Sequence, residues 1–117
     1  MRITRVYTRT GDNGSTRLVG GQSILKDNVR IESFGTVDEL NCAIGHIREQ
    51  IKTESADNPQ LMELDPILYR IQNDLFRIGG DLATLPADRW EGMERVTASD
   101  TQWLEQQCDH FNDSLPP

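Results

Sequence analysis

Leucine and isoleucine recur at alternating intervals of three and four residues in the middle of this 117-residue chain. Such spacing places apolar side chains on one face of a helix, and no other stretch of the sequence is as regular. Because Asp65 suits an N-cap and Pro66 suits a first helical position, we predict a helix over residues 66–84, with Leu61 and Leu64 in a separate preceding turn. The stripe consists of Leu61, Leu64, Leu68, Ile71, Leu75, Ile78 and Leu82.

A second amphipathic pattern precedes this stripe and predicts a helix over residues 36–53. Thr36 and Glu39 have the spacing of a capping box, in which each side chain accepts a hydrogen bond from a free backbone N–H at the helix start. The apolar or small polar positions on this face are Val37, Leu40, Asn41, Ile44, Ile47 and Ile51.

A third pattern predicts a helix over residues 99–112, after a loop at residues 85–96. Ser99 and Gln102 form another capping-box pattern, and Trp103 and Phe111 belong to the apolar side. Three helices with apolar faces indicate an all-α helical bundle, and the chain length predicts a single domain over residues 1–117. The abrupt Leu-Pro-Pro ending suggests that further C-terminal helices are missing, so we expect a truncated domain.

The first 25 residues have no helical periodicity and form a glycine-rich arm. Their glycines are Gly11, Gly14, Gly20 and Gly21. The Asp12-Asn13-Gly14 step is a tight-turn signal, because asparagine and glycine tolerate positive φ angles. We predict an extended or hairpin-like structure over residues 1–25.

Residues 8–17 of the arm combine hydroxyls, cations and glycines, the chemistry that wraps a polyphosphate. Glycine allows backbone N–H groups to approach phosphate oxygens, while Arg9, Arg17 and Lys26 would neutralise charge. The arm is not a P-loop, because its glycines are not followed by Lys-Ser or Lys-Thr. A plain β-hairpin with a glycine turn would explain the same composition.

Charge is distributed unevenly along the chain. Nineteen acidic against twelve basic residues give a net charge of −7, which disfavours a nucleic-acid partner. Six of the twelve basic residues fall in the first thirty positions, which indicates a small anionic ligand near the N-terminus: Arg2, Arg5, Arg9, Arg17, Lys26 and Arg30.

Several classes of protein are disfavoured by the remaining features. The sequence has no apolar run long enough for a membrane span and no visible secretory signal, so we expect a cytoplasmic location. Cys42 and Cys108 are expected to be reduced thiols. His46 and His110 lack the spacing of a zinc site, and we predict no metal cage.

The order of these segments resembles the corrinoid adenosyltransferases of the propanediol-utilisation type. The arm at residues 8–17 is followed by Lys26, then by Arg-Ile-Glu-Ser-Phe-Gly at 30–35 and Thr-Val-Asp-Glu-Leu-Asn at 36–41. A second landmark, Gly-Gly-Asp-Leu-Ala-Thr, occupies 79–84. The resemblance covers most of the chain, densely in the first third and thinly after residue 85.

This resemblance implies an enzyme that transfers the 5′-deoxyadenosyl group of ATP to cob(I)alamin, forming adenosylcobalamin and releasing triphosphate. It implies ATP with Mg²⁺ and cobalamin as ligands, a homotrimer, and a cobalamin reductase or an adenosylcobalamin-dependent enzyme as a further partner. A non-catalytic ATP- or corrinoid-binding module of the same ancestry, or a purely structural bundle, is the alternative.

The resemblance also implies roles for particular residues. The ATP-binding positions would be Thr8, Arg9, Thr10, Gly11, Thr16, Arg17 and Lys26. Asp38 matches a family aspartate that pairs with an arginine at a subunit boundary and organises the active site. The residues alone would make Asp38 an ordinary first-turn acid.

Two departures from the family pattern bear on these roles. The arm more usually reads Thr-Lys-Thr-Gly-Asp-Lys-Gly, whereas this chain has Arg9 and Asn13 in place of the lysines, so nucleotide affinity could differ. The family also continues into a Pro-Gly-Gly turn and an arginine-rich helix that supplies more ATP contacts and the partner of Asp38.

Overall fold

The structure is a computed structural model that describes residues 5–116; residues 1–4 of the predicted arm, Arg2 among them, and Pro117 lie outside the described residues. It is predominantly helical, which confirms the predicted all-α class, and the arm adds one small antiparallel hairpin. The strands are β1 (Ser15–Arg17) and β2 (Ser23–Leu25), and the helices are α1 (Val29–Glu54), α2 (Leu64–Leu82) and α3 (Ala98–Asn112). Short 3-10 turns occupy Pro59–Glu63 and Pro86–Asp88.

Helix α1 begins seven residues before the predicted start at residue 36. Its N-cap is Asn28, whose side chain accepts a hydrogen bond from the backbone N–H of Arg30 at 2.9 Å. Thr36 is therefore not a cap, and its hydroxyl donates to the carbonyl of Glu32 at 2.8 Å inside the helix. The prediction that α1 begins at the Thr36–Glu39 pair was wrong, because threonine and glutamate at this spacing also occur inside a helix.

Helix α2 begins at Leu64 because the 3-10 turn at Pro59–Glu63 runs directly into it. The predicted cap at Asp65 is wrong, since that side chain pairs with α1 instead. Pro66 is still accommodated, because the first four N–H groups of a helix have no intrahelical acceptor. At the other end α2 stops at Leu82 rather than residue 84, although the Thr84 hydroxyl still donates to the Gly80 carbonyl at 2.7 Å.

Polar pairs set the antiparallel register of α1 against α2. Arg48 makes a bidentate contact to Asp65, at 2.7 and 3.1 Å, and a third hydrogen bond to Gln72 at 2.9 Å. Gln72 and Asn41 exchange side-chain-to-backbone hydrogen bonds at 3.0 and 3.3 Å. The Arg48 guanidinium lowers the pKa of Asp65, so the pair stays charged at neutral pH. Ile44 is buried between these contacts.

The arm packs on the C-terminal end of α2. A helix leaves its last four carbonyls without intrahelical donors, and two of the acceptors in this region receive hydrogen bonds from elsewhere. Arg30 Nη1 donates to the Leu82 carbonyl at 2.7 Å, and the Val19 N–H donates to the Ala83 carbonyl at 3.0 Å. Leu18 is buried at this junction.

Helix α3 is joined to α2 by charged side chains. Asp100 accepts hydrogen bonds from Arg77 at 3.0 Å and Arg70 at 3.4 Å, and Arg77 also pairs with the buried Asp74. The Arg70 guanidinium lies 3.9 Å from the centre of the Trp103 ring, a cation–π contact. Electrostatic contacts therefore hold the third helix in place.

The N-cap of α3 is Thr97, not Ser99 as predicted. The Asp100 carboxylate accepts from the Thr97 N–H at 2.8 Å and lies 3.1 Å from the Thr97 hydroxyl. The capping box is thus Thr97 with Asp100 rather than Ser99 with Gln102, and the Ser99 hydroxyl instead contacts that of Thr97 at 2.8 Å. The sequence contains two overlapping capping-box pairs, and the helix begins with the pair that includes the Asp100 carboxylate.

The loop before α3 is tethered to α2. Asp81 pairs with Arg89 at 2.8 Å and with Arg95 at 3.0 Å, so one carboxylate holds both sides of the loop. No helix in the described part of the chain is both long and apolar enough to cross a membrane.

We predict that Asp100 stabilises the fold in a pH-dependent way. Its hydrogen bonds to Thr97 and then Arg77 lower its pKa from 3.8 to about 2. A lowered folded-state pKa contributes stability that is present above about pH 4 and is lost as the pH falls toward 2. Asp100→Ala should lower Tm at pH 7 by on the order of 5 °C, and the difference from wild type should shrink toward zero near pH 2.

Thermal melts followed by circular dichroism at pH 7, 4 and 2 would measure this difference. Asp109→Ala removes an acid from the same helix and serves as the matched control, with little change in Tm expected. A Tm difference for Asp100→Ala that stays constant between pH 7 and pH 2 would contradict the role assigned to its charge.

Candidate functional site

A polar cleft of about 540 Å³ lies between the arm's first turn and the hairpin. It brings together five of the residues predicted to bind phosphate, namely Thr10, Gly11, Thr16, Arg17 and Lys26. Asn13, Ser15 and Ser23 complete the lining. The cleft combines the cations Arg17 and Lys26 with hydroxyl groups, and none of these described lining residues is acidic. That combination favours an anion.

The turn at one side of the cleft is built from the Asp12-Asn13-Gly14 step. Gly14 has a φ angle of +86° and donates its N–H to the Gly11 carbonyl at 3.2 Å. The Asn13 side chain accepts from the Ser15 N–H at 3.2 Å and from the Ser15 hydroxyl at 2.7 Å. Asn13, which replaces a family lysine, therefore stabilises the turn without adding charge.

Lys26 closes the cleft from the hairpin side. Its N–H donates to the Gly14 carbonyl at 2.9 Å, which places the residue against the turn. A Cβ atom at Gly11 would lie 3.2 Å from Lys26 Nζ and 3.1 Å from the Ser15 carbonyl oxygen. Glycine at position 11 thus allows the ammonium group to approach the backbone of the turn.

The hairpin register positions the other cation. Arg17 is paired with Ser23, and Ser15 with Leu25, so Ser15 and Arg17 lie on the same face of β1. This face places a guanidinium and two serine hydroxyls in the cleft. Ser15 and Ser23 were not predicted as site residues, and only the strand register could have identified Ser23.

Thr8 and Arg9 do not line this cleft. They line an adjacent hollow together with Arg5, Val6 and Tyr7. Thr8 remains connected to the cleft, because its hydroxyl contacts that of Thr10 at 2.9 Å. Arg9 has a φ angle of +60°, and its guanidinium lies 5.5 Å from the centre of the Tyr7 ring. Their phosphate-binding roles stay predictions.

Asp38 lies in a second, more apolar groove of about 340 Å³ between α1 and α2. The α1 side carries Asp38 itself, and the α2 side includes the Gly-Gly pair of the second sequence landmark. Asp38 is exposed, and it makes no ion pair with any residue that the structure describes. The other lining residues are Phe34, Gly35, Val37, Asn41, Leu75, Phe76, Gly79, Gly80 and Ala83.

The remaining candidate groups do not form a site among residues 5–116. No cluster of three His, Cys, Asp or Glu side chains is arranged there to hold a metal ion. Cys42 and Cys108 are exposed free thiols.

Comparisons with known proteins agree with the resemblance in the sequence. The family model described as cobalamin adenosyltransferase matches residues 6–117. Corrinoid adenosyltransferases of Citrobacter freundii and Bacillus subtilis are 41% identical over 105 residues and 38% identical over 112 residues, covering 90% and 96% of this chain. A third, from Mycobacterium leprae, is 37% identical over 120 residues and covers 99% of the chain.

Solved structures give the same result for the fold. A variant of the PduO-type ATP:corrinoid adenosyltransferase from Lactobacillus reuteri, complexed with cobalamin and ATP, superposes with a TM-score of 0.85 at 34% identity and covers 97% of this chain. The chain covers 59% of that structure, and between 54% and 59% of the three curated relatives. It therefore spans little more than half the length of these four proteins.

Proposed function

Because the chain belongs to the cobalamin adenosyltransferase family, we propose that it serves in the transfer of the 5′-deoxyadenosyl group of ATP to cob(I)alamin. The products are adenosylcobalamin and triphosphate. The observation that carries this proposal is the acid-free cleft, in which Arg17, Lys26 and several hydroxyls converge around a glycine turn. ATP and cobalamin are bound by the related Lactobacillus reuteri structure, and both are proposed substrates of this chain.

The reaction is a nucleophilic displacement at the ribose C5′ of ATP. The electron pair of the reduced cobalt forms the Co–C bond, while the C5′–O bond breaks and its electrons leave with the triphosphate. Negative charge therefore grows on the leaving group, where preorganised cations are most effective. We assign this stabilisation to Arg17 and Lys26. Mg²⁺ would be brought in with ATP as the MgATP complex.

Hydroxyl and backbone groups of the cleft would orient the phosphate chain. Thr10, Thr16, Ser15 and Ser23 offer hydroxyl donors, and Gly11 allows the backbone of the turn to approach phosphate oxygens. Thr8 is connected to this cleft through its hydroxyl contact with Thr10 at 2.9 Å, and the exposed Arg9 would supply a further cation from the adjacent hollow.

Asp38 is proposed to organise the active site from the second groove. An exposed carboxylate flanked by apolar side chains is available to an arginine from another polypeptide segment. The exposed Phe76 beside it, 77% accessible, extends this unfilled surface. A homotrimer, with such an arginine supplied at the subunit boundary, fits both features. A cobalamin reductase or an adenosylcobalamin-dependent enzyme is the proposed further partner, and the cytoplasm is the proposed location.

The alternative is a module that binds ATP or a corrinoid without transferring the adenosyl group. The chain covers between 54% and 59% of three curated relatives, and the family resemblance implies that a helix outside the matched segment supplies further ATP contacts. A chain without those contacts could bind a ligand and not turn it over. Binding without turnover distinguishes it from the enzyme.

We predict that Lys26→Ala weakens MgATP binding. Loss of a charge-assisted hydrogen bond to phosphate should raise Kd by roughly tenfold to a hundredfold. Lys52→Ala is the matched control, because Lys52 pairs with Glu49 at the far end of a 26-residue helix that spans about 39 Å. Isothermal titration calorimetry would measure both variants at two salt concentrations. A Lys26→Ala isotherm equal to that of Lys52→Ala would remove Lys26 from the site.

Anaerobic adenosylation tests the enzymatic proposal directly. The chain alone, and the chain extended with the C-terminal segment of a relative, are each mixed with MgATP and cob(I)alamin, and the corrin absorbance is followed. We expect turnover by the extended protein. MgATP binding without turnover in either form would support the binding module instead.

Asp38→Asn should separate site organisation from nucleotide binding. The amide keeps the shape of the side chain but loses the charge that would pair with an arginine. In the extended protein we expect kcat to fall by roughly tenfold or more, which is the effect of losing one hydrogen bond between charged groups. The MgATP dissociation constant should change by less than about threefold. An unchanged kcat would show that the Asp38 charge has no part in the reaction.

A further inference from the structure

The hairpin that forms one wall of the phosphate cleft is held in place by a contact to a distant loop. Gln22 Nε2 donates to Asp88 Oδ2 at 2.6 Å, across 66 positions of sequence. Both side chains are partly buried, so this hydrogen bond is shielded from competing water. It joins the tip of the hairpin to the short 3-10 turn that follows α2.

Glycine at position 20 leaves room for this hydrogen bond. A Cβ atom added there would overlap the Asp88 carboxyl group and come within 2.6 Å of Gln22 Nε2. Because real Cβ atoms do not approach other atoms so closely, a larger residue would displace one or both of the side chains that form the hydrogen bond. The neighbouring Val19 N–H completes the attachment with its 3.0 Å hydrogen bond to the Ala83 carbonyl.

The attachment lies next to the cleft. Leu18 donates its N–H to the Gln22 carbonyl at 2.9 Å, and Arg17 and Ser23, the next residues outward, form the adjacent strand pair. Arg17 and Ser23 both line the cleft. A displacement of the hairpin tip would therefore be passed directly to one cation and one hydroxyl of the proposed phosphate site.

We propose that Asp88 is a positioning residue for the nucleotide-binding arm, acting through Gln22 and the close approach at Gly20. This inference rests on the proposed function, since it assigns the arm's preorganisation to a contact outside the cleft. A hairpin ordered before ATP arrives loses less conformational entropy on binding. The Asp88 carboxylate itself does not line the cleft, and its negative charge alone would oppose the binding of an anion.

The sign of the effect makes the proposal testable. Removing a nearby negative charge should by itself strengthen MgATP binding, whereas loss of the hairpin contact should weaken it. We expect Asp88→Ala and Gly20→Ala each to raise the Kd for MgATP roughly fivefold to tenfold. Asp27→Asn, which removes an acid next to Lys26 in sequence, is the charge control and should leave Kd unchanged or lower.

A reversed pair separates positioning from general damage to the fold. In the double variant Q22E/D88N the carboxylate and the amide exchange places, so the hydrogen bond is restored with opposite polarity. Its Kd should return to within about twofold of wild type, while Q22E alone, which opposes two carboxylates, should be as weak as Asp88→Ala. Equal Kd values for wild type and Asp88→Ala would overturn the proposal, as would a double variant no better than Q22E.

Hydrogen exchange without nucleotide distinguishes this inference from the proposed function. In the wild-type chain the Leu18 and Val19 amides should be protected, and Asp88→Ala should lose that protection while amides in the middle of α2 keep theirs. If the wild-type chain fails to bind MgATP, both the proposed phosphate site and the role of Asp88 in nucleotide binding would be contradicted. Unchanged protection in Asp88→Ala would overturn the attachment itself, whatever the nucleotide result.

Discussion

The antiparallel pairing of α1 with α2 is the contact on which the remaining structure depends. Arg48 makes three hydrogen bonds from α1 to α2, two to Asp65 and one to Gln72. Asn41, about two turns nearer the start of α1, also forms hydrogen bonds with Gln72. Apolar stripes can slide past one another, whereas these polar groups have partners in one register only. The hairpin is attached to the C-terminal end of α2 and the third helix to its side, so their positions follow from this register.

Most of the described arginines outside the arm are engaged in salt bridges. On α2, Asp74 is paired with Arg77, which also binds Asp100 of α3. Asp81 is paired with two arginines of the loop before α3. Arg17 and Lys26, by contrast, make no salt bridge with any residue between positions 5 and 116. The chain is strongly acidic as a whole, yet its two cleft cations remain available to an anionic ligand.

The helices leave much apolar surface uncovered. Within the described residues only Leu18, Ile44 and Ile51 are buried apolar side chains. The radius of gyration is 18.4 Å, compared with about 13 Å for a compact domain of this length. Apolar side chains that are exposed on α2, Tyr69 and Phe76 among them, are typical of surfaces that contact another polypeptide. This agrees with relatives of nearly twice the length and with an active site completed from outside the segment.

Local sequence determined the helical class, the turn before the hairpin and several of the arm residues that line the cleft, because each depends on periodicity or on neighbours a few positions apart. Helix starts were less predictable, since Thr36 and Ser99 have the same chemistry inside a helix as at its cap. The cationic residues near the N-terminus already included Lys26 as a candidate phosphate contact, whereas only the strand pairing added Ser23. The contact between Gln22 and Asp88 joins residues 66 positions apart, and neither has a local pattern that marks it. Such a contact exists only once α2 has carried the loop back to the hairpin, so tertiary structure alone decided it.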